Sequence, residues 1–327
     1  MRPALLSILA EPGTGASLVL EDAREERARI VEGRLRSTET GVVYPIVRGI
    51  PRFVSSDGYS ASFGMQWNRF RRVQVDSETA GTHSRRRFDN EAGWSTEQLE
   101  GKWCLDAGCG AGRFAEIAAA RKANLVALDL SSAVDATAET CRAFDNVDVV
   151  QGSMLEPPFK PGSFDFAYSL GVIQHTPDPQ GAVRRVIECV KPGGRFALTI
   201  YARRPWTKLN AKYLVRPLTK RLPEKVLLGA IETVMPVMFP VTDALYRLPV
   251  VGRLAQFTIP IANWVDRDEF TRPQRYDEAV LDTFDMLSPA YDDPMTWQEV
   301  ENAMRAAGAT DWSFRSRVPI ICEGRVS

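Results

Sequence analysis

The residues best suited to chemistry form one run, Leu105-Asp106-Ala107-Gly108-Cys109-Gly110-Ala111-Gly112-Arg113-Phe114. The alternating glycines Gly108, Gly110 and Gly112 remove the Cβ atoms that would hold a ligand away from the main chain, and Asp106 stands just ahead of them. The run follows a short apolar stretch and precedes a helical pattern. It therefore reads as a nucleotide-binding turn between a first parallel strand and its helix, with N–H groups at the helix start available to the ligand. A dinucleotide turn of the form G-x-G-x-x-G needs a glycine at position 113, and Arg113 stands there, which disfavours hydride transfer on a nicotinamide. The second candidate is His175, one of only two histidines in the chain. It follows a predicted strand, where the crevice of an open sheet forms, and it is either a base or a buried structural side chain. His83, in an arginine-rich stretch, reads as a surface or hinge residue.

These groups need a sheet to hold them. Leu125-Val126-Ala127-Leu128 is a second apolar run, ending in Asp129, the place where doubly wound nucleotide folds put an acid for ribose hydroxyls. A third strand, Val147 to Gln151, runs into Gly152-Ser153-Met154. A fourth, Ser163 to Ser169, leads through Leu170-Gly171-Val172 to His175-Thr176-Pro177-Asp178, where Asp178 is placed to cap a helix with Pro179 at its first position. That helix stops at a turn, Lys191-Pro192-Gly193-Gly194, ahead of a fifth strand from Phe196 to Tyr201.

An acid opening a D-x-G-x-G-x-G turn, with these features in this order over about a hundred residues, resembles the class I S-adenosylmethionine (SAM) methyltransferases. The resemblance implies SAM as cofactor, bound by Asp106, Gly108, Gly110, Gly112, Asp129, Ser153, Met154 and Ser169. Asp129 becomes the ribose carboxylate. Ser153 stands where the family usually has an acid that accepts from the adenine amino group, and a hydroxyl can still accept that bond. His175 falls in a segment that lines the methyl-transfer site.

Upstream, Phe63, Trp67, Phe70 and Gln74 recur at helical steps and define one face. The sequence Phe-Gly-x-Gln-Trp followed by Gln-x-Asp-Ser resembles bacterial members of the family (methyltransferase type 11-like), in which a segment before the first strand closes over SAM. Tyr59, Phe63 and Trp67 are then aromatic candidates for packing on the sulfonium or the acceptor. Asp282 to Asp285 and Ser288 to Tyr291 resemble another recurring element, which brings Tyr291 to the acceptor side. Thr296 and Glu299 make a capping box for a helix ending near Gly308, and two last strands are expected near Asp311 to Arg315 and Pro319 to Glu323.

The predicted fold is α/β: a doubly wound, seven-stranded, mostly parallel Rossmann-like sheet with a small amino-terminal β-rich domain and a helical lid insertion. The expected divisions are a β-rich unit over 1–55, a helical cap over 56–100, a SAM-binding core over 101–201, an acceptor lid over 202–289, and a carboxy-terminal helix with strands over 290–327. The first unit resembles a zinc-ribbon-derived domain, whose ending often reads Tyr-Pro-Ile-x-x-Gly-Ile-Pro. No cysteine precedes Cys104, so this copy is expected to hold no metal.

Composition limits the partners. The 327 residues carry 41 basic and 41 acidic side chains, so no overall field recruits nucleic acid. Five cysteines lack C-x-x-C spacing, which suits packing in a reducing cytoplasm. The lid region is apolar, but Glu232, Asp243, Arg247 and Arg253 break it, and no run there is expected to reach the length of a membrane span. Lys208, Lys212, Arg216 and Lys220 recur at steps of four, so a helix over 206–222 would carry a basic stripe, either a solvated face or a peripheral membrane contact for an amphiphilic acceptor. The expected activity is methyl transfer to a small-molecule acceptor, such as a sugar, a lipid-like molecule or a secondary-metabolite intermediate. The alternatives are a SAM-binding partner without turnover and an enzyme using SAM for a non-methylating reaction. The acceptor atom and the oligomeric state are left open.

Overall fold

The computed structural model describes residues 1–55, 58–267 and 269–327. After a 3-10 turn at Pro3–Ser7, strands β1 (Leu18–Glu26), β2 (Arg29–Ser37), β3 (Val43–Val47) and β4 (Ile50–Pro51) form an antiparallel sheet in chain order. The two-residue loops Arg27-Ala28 and Arg48-Gly49 both take positive φ at each position, the hairpin geometry that matches strand twist. This sheet closes one edge of the main sheet: the Phe53 N–H donates to the Gln151 carbonyl at 2.8 Å, and Arg52 pairs with Gln151. The buried Arg2–Asp148 ion pair at 2.8 Å ties the amino terminus to the same edge.

Four short helices follow, α1 (Ala61–Arg69), α2 (Asp76–Thr79), α3 (His83–Glu91) and α4 (Thr96–Leu99). The main body then alternates β5 (Trp103–Ala107), α5 (Ala115–Ala120), β6 (Asn124–Asp129), α6 (Ala133–Thr140), β7 (Val147–Gln151), β8 (Phe164–Leu170), α7 (Pro179–Glu188) and β9 (Val190–Ile200). Helices α8 (Ala211–Thr219), α9 (Glu224–Tyr246), α10 (Val251–Thr258) and α11 (Arg272–Leu287) intervene before α12 (Trp297–Ala306), β10 (Ala309–Arg317) and β11 (Ile320–Val326). The sheet order is β10-β11-β9-β8-β5-β6-β7, with β5 to β9 parallel and β11 antiparallel to β9. This is the predicted doubly wound, Rossmann-like seven-stranded sheet. Strand order reverses between β5 and β8, and the crevice opens at their carboxyl ends.

Alternation along β5 sorts its side chains. Leu105 and Ala107 join a core with Val126, Leu128 and the helices α7 and α12. Cys104 packs on the other face with Phe88, Trp94 and Tyr168, and Asp106 shares that face by the two-residue period. The caps are as expected: Asp178 accepts from the Gly181 N–H at 2.8 Å, and Thr296 with Glu299 closes a capping box.

Four expectations are corrected. Strand β9 begins at Val190, so the predicted Lys191–Gly194 turn lies within an irregularly paired strand rather than ahead of it. Glu224–Tyr246 is long and apolar enough to cross a membrane, because its interior acids are few. The basic stripe is not one solvated face: Arg216 is buried and donates to the Met286 and Pro289 carbonyls at 3.0 and 2.8 Å, and Lys212 pairs with the buried Asp292 at 2.7 Å. His83 is half-buried rather than a free surface residue: it opens α3, its Nδ1 lies 3.3 Å from Glu269 Oε1, it packs on the Phe270 ring, and burial pushes its pKa down to about 3.

Candidate active site

The glycine loop joins β5 to α5. Gly108, Gly110 and Gly112 all have positive φ, at 91, 52 and 85°. At Gly108 a Cβ would lie 2.4 Å from Val172 Cγ1, so the loop is pressed against the segment after β8. The Gly108 and Cys109 N–H groups donate to the Leu128 carbonyl at 2.7 and 3.0 Å, and the Gly112 N–H donates to Cys109 at 2.8 Å. The Gly110 N–H donates to Asp129 Oδ2 at 2.9 Å. These loop donors are therefore spent inside the protein. What the glycines provide is close approach.

Asp129 ends β6 in the crevice, and its Oδ1 accepts from the Ser131 N–H at 2.9 Å and hydroxyl at 2.7 Å. Asp106 is buried beneath the loop, and burial pushes its carboxyl up to about 8. Among the described residues its Oδ2 has no hydrogen-bond partner.

A cavity of about 650 Å³ runs from this loop to the lid helices. It brings together Gly108, Gly110, Asp129, Met154, His175, Tyr59, Phe63 and Trp67. Four expected cofactor contacts lie elsewhere, one of them Asp106, which is buried beneath the loop and outside this lining. Ser153 lines a separate cavity beside Asp178 and accepts from the Leu155 N–H at 3.1 Å, because the chain turns away after Gly152. Ser169 is fully buried and donates to the Ala107 carbonyl at 2.8 Å, which ties β8 to the end of β5. Gly112 sits against Thr137 behind the loop, where a Cβ would come within 3.2 Å of that side chain.

Helix α1 lies across the opening: a Cβ on Gly110 would approach the Trp67 indole nitrogen to 3.1 Å. Phe63 packs on the His175 ring with centroids 5.2 Å apart, and Tyr201 meets the same ring edge-on at 5.7 Å. His175 Nδ1 lies 3.1 Å from the Tyr291 carbonyl oxygen. A carbonyl only accepts, so Nδ1 carries the proton and Nε2 is the basic nitrogen of the neutral ring. Tyr291, expected on the acceptor side, is not among the residues lining the cavity: its main chain meets His175, and its ring lies edge-on to Tyr59 at 5.5 Å.

Sequence reasoning missed a charged wall of the same cavity. Arg113 is buried, donates to Ser84 Oγ at 3.1 Å and to Gln74 Oε1, and among the described residues leaves Nη2 without a partner. Burial, with Arg87 and Arg267 nearby, lowers its pKa to about 9. Gln74 donates at 3.1 Å to Asp282, which is held above the usual carboxylate range by burial. The one available signal was Arg113 itself, standing where a dinucleotide loop would have glycine.

Residues 105–198 match a family described as Methyltransferase domain. The ubiquinone biosynthesis O-methyltransferase of Pseudomonas aeruginosa (strain UCBPP-PA14) is 33% identical over 138 residues, 39% of this chain and 59% of that protein. The protein of the same name from Dechloromonas aromatica (strain RCB) is 32% identical over 131 residues, 37% of this chain and 56% of its own. The chain thus spans under two thirds of the length of these curated relatives. An O-methyltransferase family protein from Burkholderia thailandensis aligns with a TM-score of 0.45 at 13% identity, over 75% of this chain and 56% of that one.

Proposed function

We propose, from the premise that residues 105–198 are a class I SAM-dependent methyltransferase domain, that this chain transfers a methyl group from SAM to a hydroxyl of a small-molecule acceptor. The observation that carries this reading is the single cavity joining the glycine loop and Asp129 to the lid, with His175 on its wall. Its volume of about 650 Å³ is that of a small-molecule site. Oxygen as the acceptor atom draws on the relatives' names.

The residues present fit the cofactor. Gly108 and Gly110 form a cradle that a Cβ would fill, and Asp129 offers a carboxylate to ribose hydroxyls. Arg113 Nη2, a buried cation with an open donor, suits the carboxylate of the amino-acid moiety. Bound SAM supplies a methyl group on a sulfonium, a good leaving group.

The protein's task is then to orient, exclude water and move one proton. Phe63 and Trp67 close the opening, and Tyr59 gives the sulfonium a ring face. As the acceptor oxygen gains the methyl, its proton passes to His175 Nε2, and the Tyr291 carbonyl holds the resulting imidazolium. We place this reaction in the cytoplasm, a setting that suits five buried, unpaired thiols. The acceptor is a sugar, lipid-like or secondary-metabolite molecule rather than a nucleic acid, in keeping with the balanced net charge.

Calorimetry with SAM, followed by transfer of a labelled methyl group to a panel of hydroxylated small molecules, tests the proposal. Binding together with label in an acceptor is expected. A folded protein that binds no SAM would overturn it, and binding with no transfer to any acceptor would favour a partner without turnover.

A further inference from the structure

Helix α9 has two apolar faces, and the protein covers one. Leu228, Ile231, Met235 and Phe239 pack on Ala279, Val280 and Phe284 of α11. Val226, Ala230, Val234, Val237, Val241 and Ala244 are all exposed, Val237 by 66%. At 100° per residue these six positions fall on one arc of roughly 100°, so they form a continuous stripe along a helix about 35 Å long. The adjoining helices extend it: Leu214 and Leu218 on α8 are 68% and 69% exposed, and Leu254 on α10 is 63% exposed.

Charge on this insertion is segregated. Among the described residues of 206–258, Lys208, Lys220, Arg221, Lys225, Arg247 and Arg253 are exposed, whereas Glu224, Glu232 and Asp243 are each partly buried. Glu232 is paired with Arg69, and Asp243 with Arg275 and, at 3.6 Å, with Arg247, which leaves Lys208, Lys220, Arg221, Lys225 and Arg253 as the basic surround. A chain with no net charge thus carries an outward surface here that is apolar with a basic surround.

We propose that the outer face of α8 to α10 docks on an anionic lipid bilayer, with α9 lying in the interface plane. Apolar side chains enter the headgroup boundary while Lys and Arg meet lipid phosphates, and the basic surround favours this occupant over a second copy of the chain, whose like charges would meet. The helix lies on the membrane rather than across it, because crossing would strip Met235 and Phe239 from α11. Tyr246 of α9 and Gln256 of α10 line the cavity, so docking sets the cavity wall against the membrane. The docking face stands on these helices alone and does not rest on methyl transfer.

The test is flotation of the full chain with vesicles of phosphatidylcholine, with and without about one-third phosphatidylglycerol. Wild type is expected to float with the anionic vesicles, and about tenfold less with neutral ones or at about 0.5 M salt. Val234→Glu with Val237→Glu should cut flotation about tenfold, and Lys220→Gln with Arg221→Gln and Lys225→Gln several-fold, while calorimetric SAM affinity stays at the wild-type value in both. Absence of flotation with anionic vesicles, or flotation unchanged by both sets, would overturn the proposal. So would a vesicle-free dimer in sedimentation that the glutamates dissociate, which would assign the face to a second copy. SAM affinity reports the active site independently of either result.

Discussion

The Gly110 N–H donates to Asp129 Oδ2 at 2.9 Å, so the acid at the end of β6 holds the glycine loop as well as facing the crevice. Asp129 also anchors Ser131, and one carboxylate therefore sets the shape of two loops. Replacing it removes the proposed ribose contacts and the loop tether together. Asp129→Ala is expected to weaken SAM binding by about 1.5–3 kcal/mol, roughly ten- to a hundredfold. Calorimetry on the folded variant checks this, and unchanged affinity would remove the assignment.

Gly108 tests the close approach of loop and β8 segment. Its φ of 91° is hostile to a side chain, and a Cβ would press to 2.4 Å from Val172 Cγ1. Gly108→Ala is expected to cost about 2–4 kcal/mol of stability, combining backbone strain with the clash. Adding Val172→Ala removes the two Cγ contacts but leaves the Cβ of residue 172 at 2.9 Å, so it should recover only part of the clash, and denaturant melts of the pair are expected to lie between wild type and the single variant. Full recovery would show that the positive φ carries no strain.

The parallel strands were legible because local and global signals coincide there. The run from Val147 to Gln151 is a strand in both readings, and Asp129 ends β6 where an acid was expected. Hydroxyl direction was not legible. Ser169 is turned to the Ala107 carbonyl by sheet alternation, and Ser153 faces the far side because the chain bends after Gly152. Arg216 shows the same limit more sharply: its spacing with Lys212 and Lys220 reads as a charged stripe, yet the carbonyls that take it inward belong to Met286 and Pro289, brought in by α11. The Lys191–Gly194 segment reads as a turn from composition, and the pairings of β9 step over it: β8 pairs with Val190 and next with Arg195, and β11 pairs with Arg195 to Ile200.

The Lys212–Asp292 pair provides a contrast within the former stripe. Asp292 is almost fully buried and Lys212 is largely so, whereas Lys220 is exposed and has no ion-pair partner among the described residues. Lys212→Met strands a buried carboxylate and is expected to lower stability by about 3 kcal/mol, with Lys220→Gln within about 0.5 kcal/mol of wild type. Equal, small effects in chemical denaturation would show that the pair is solvated.

The amino-terminal sheet is expected to hold no metal. Neither cysteine nor histidine occurs before His83, so Leu18 to Pro51 present no soft ligand. Elemental analysis of dialysed protein should find no zinc. Stoichiometric zinc lost on deleting residues 1–55 would overturn this.

Asp106 gives the pH prediction. Its carboxyl keeps its proton to about pH 8 in the folded chain, because burial penalises the charge, against an ordinary value near 3.8 when unfolded. Between those values the folded state holds the extra proton, so stability falls as pH rises from about 4 to about 8 and levels beyond. Asp106→Asn cannot ionise and escapes that loss. The variant is expected to match wild type near pH 4 and to exceed it by about 2 kcal/mol or more near pH 8, measured as urea midpoints at matched m-values. A cationic ligand bound above the site would favour the ionised carboxylate, so SAM binding near pH 7 should release protons. Calorimetric heats should then differ between buffers of different ionisation enthalpy for wild type and coincide for Asp106→Asn. A stability difference between the two proteins that does not change across this range would refute the shifted carboxyl.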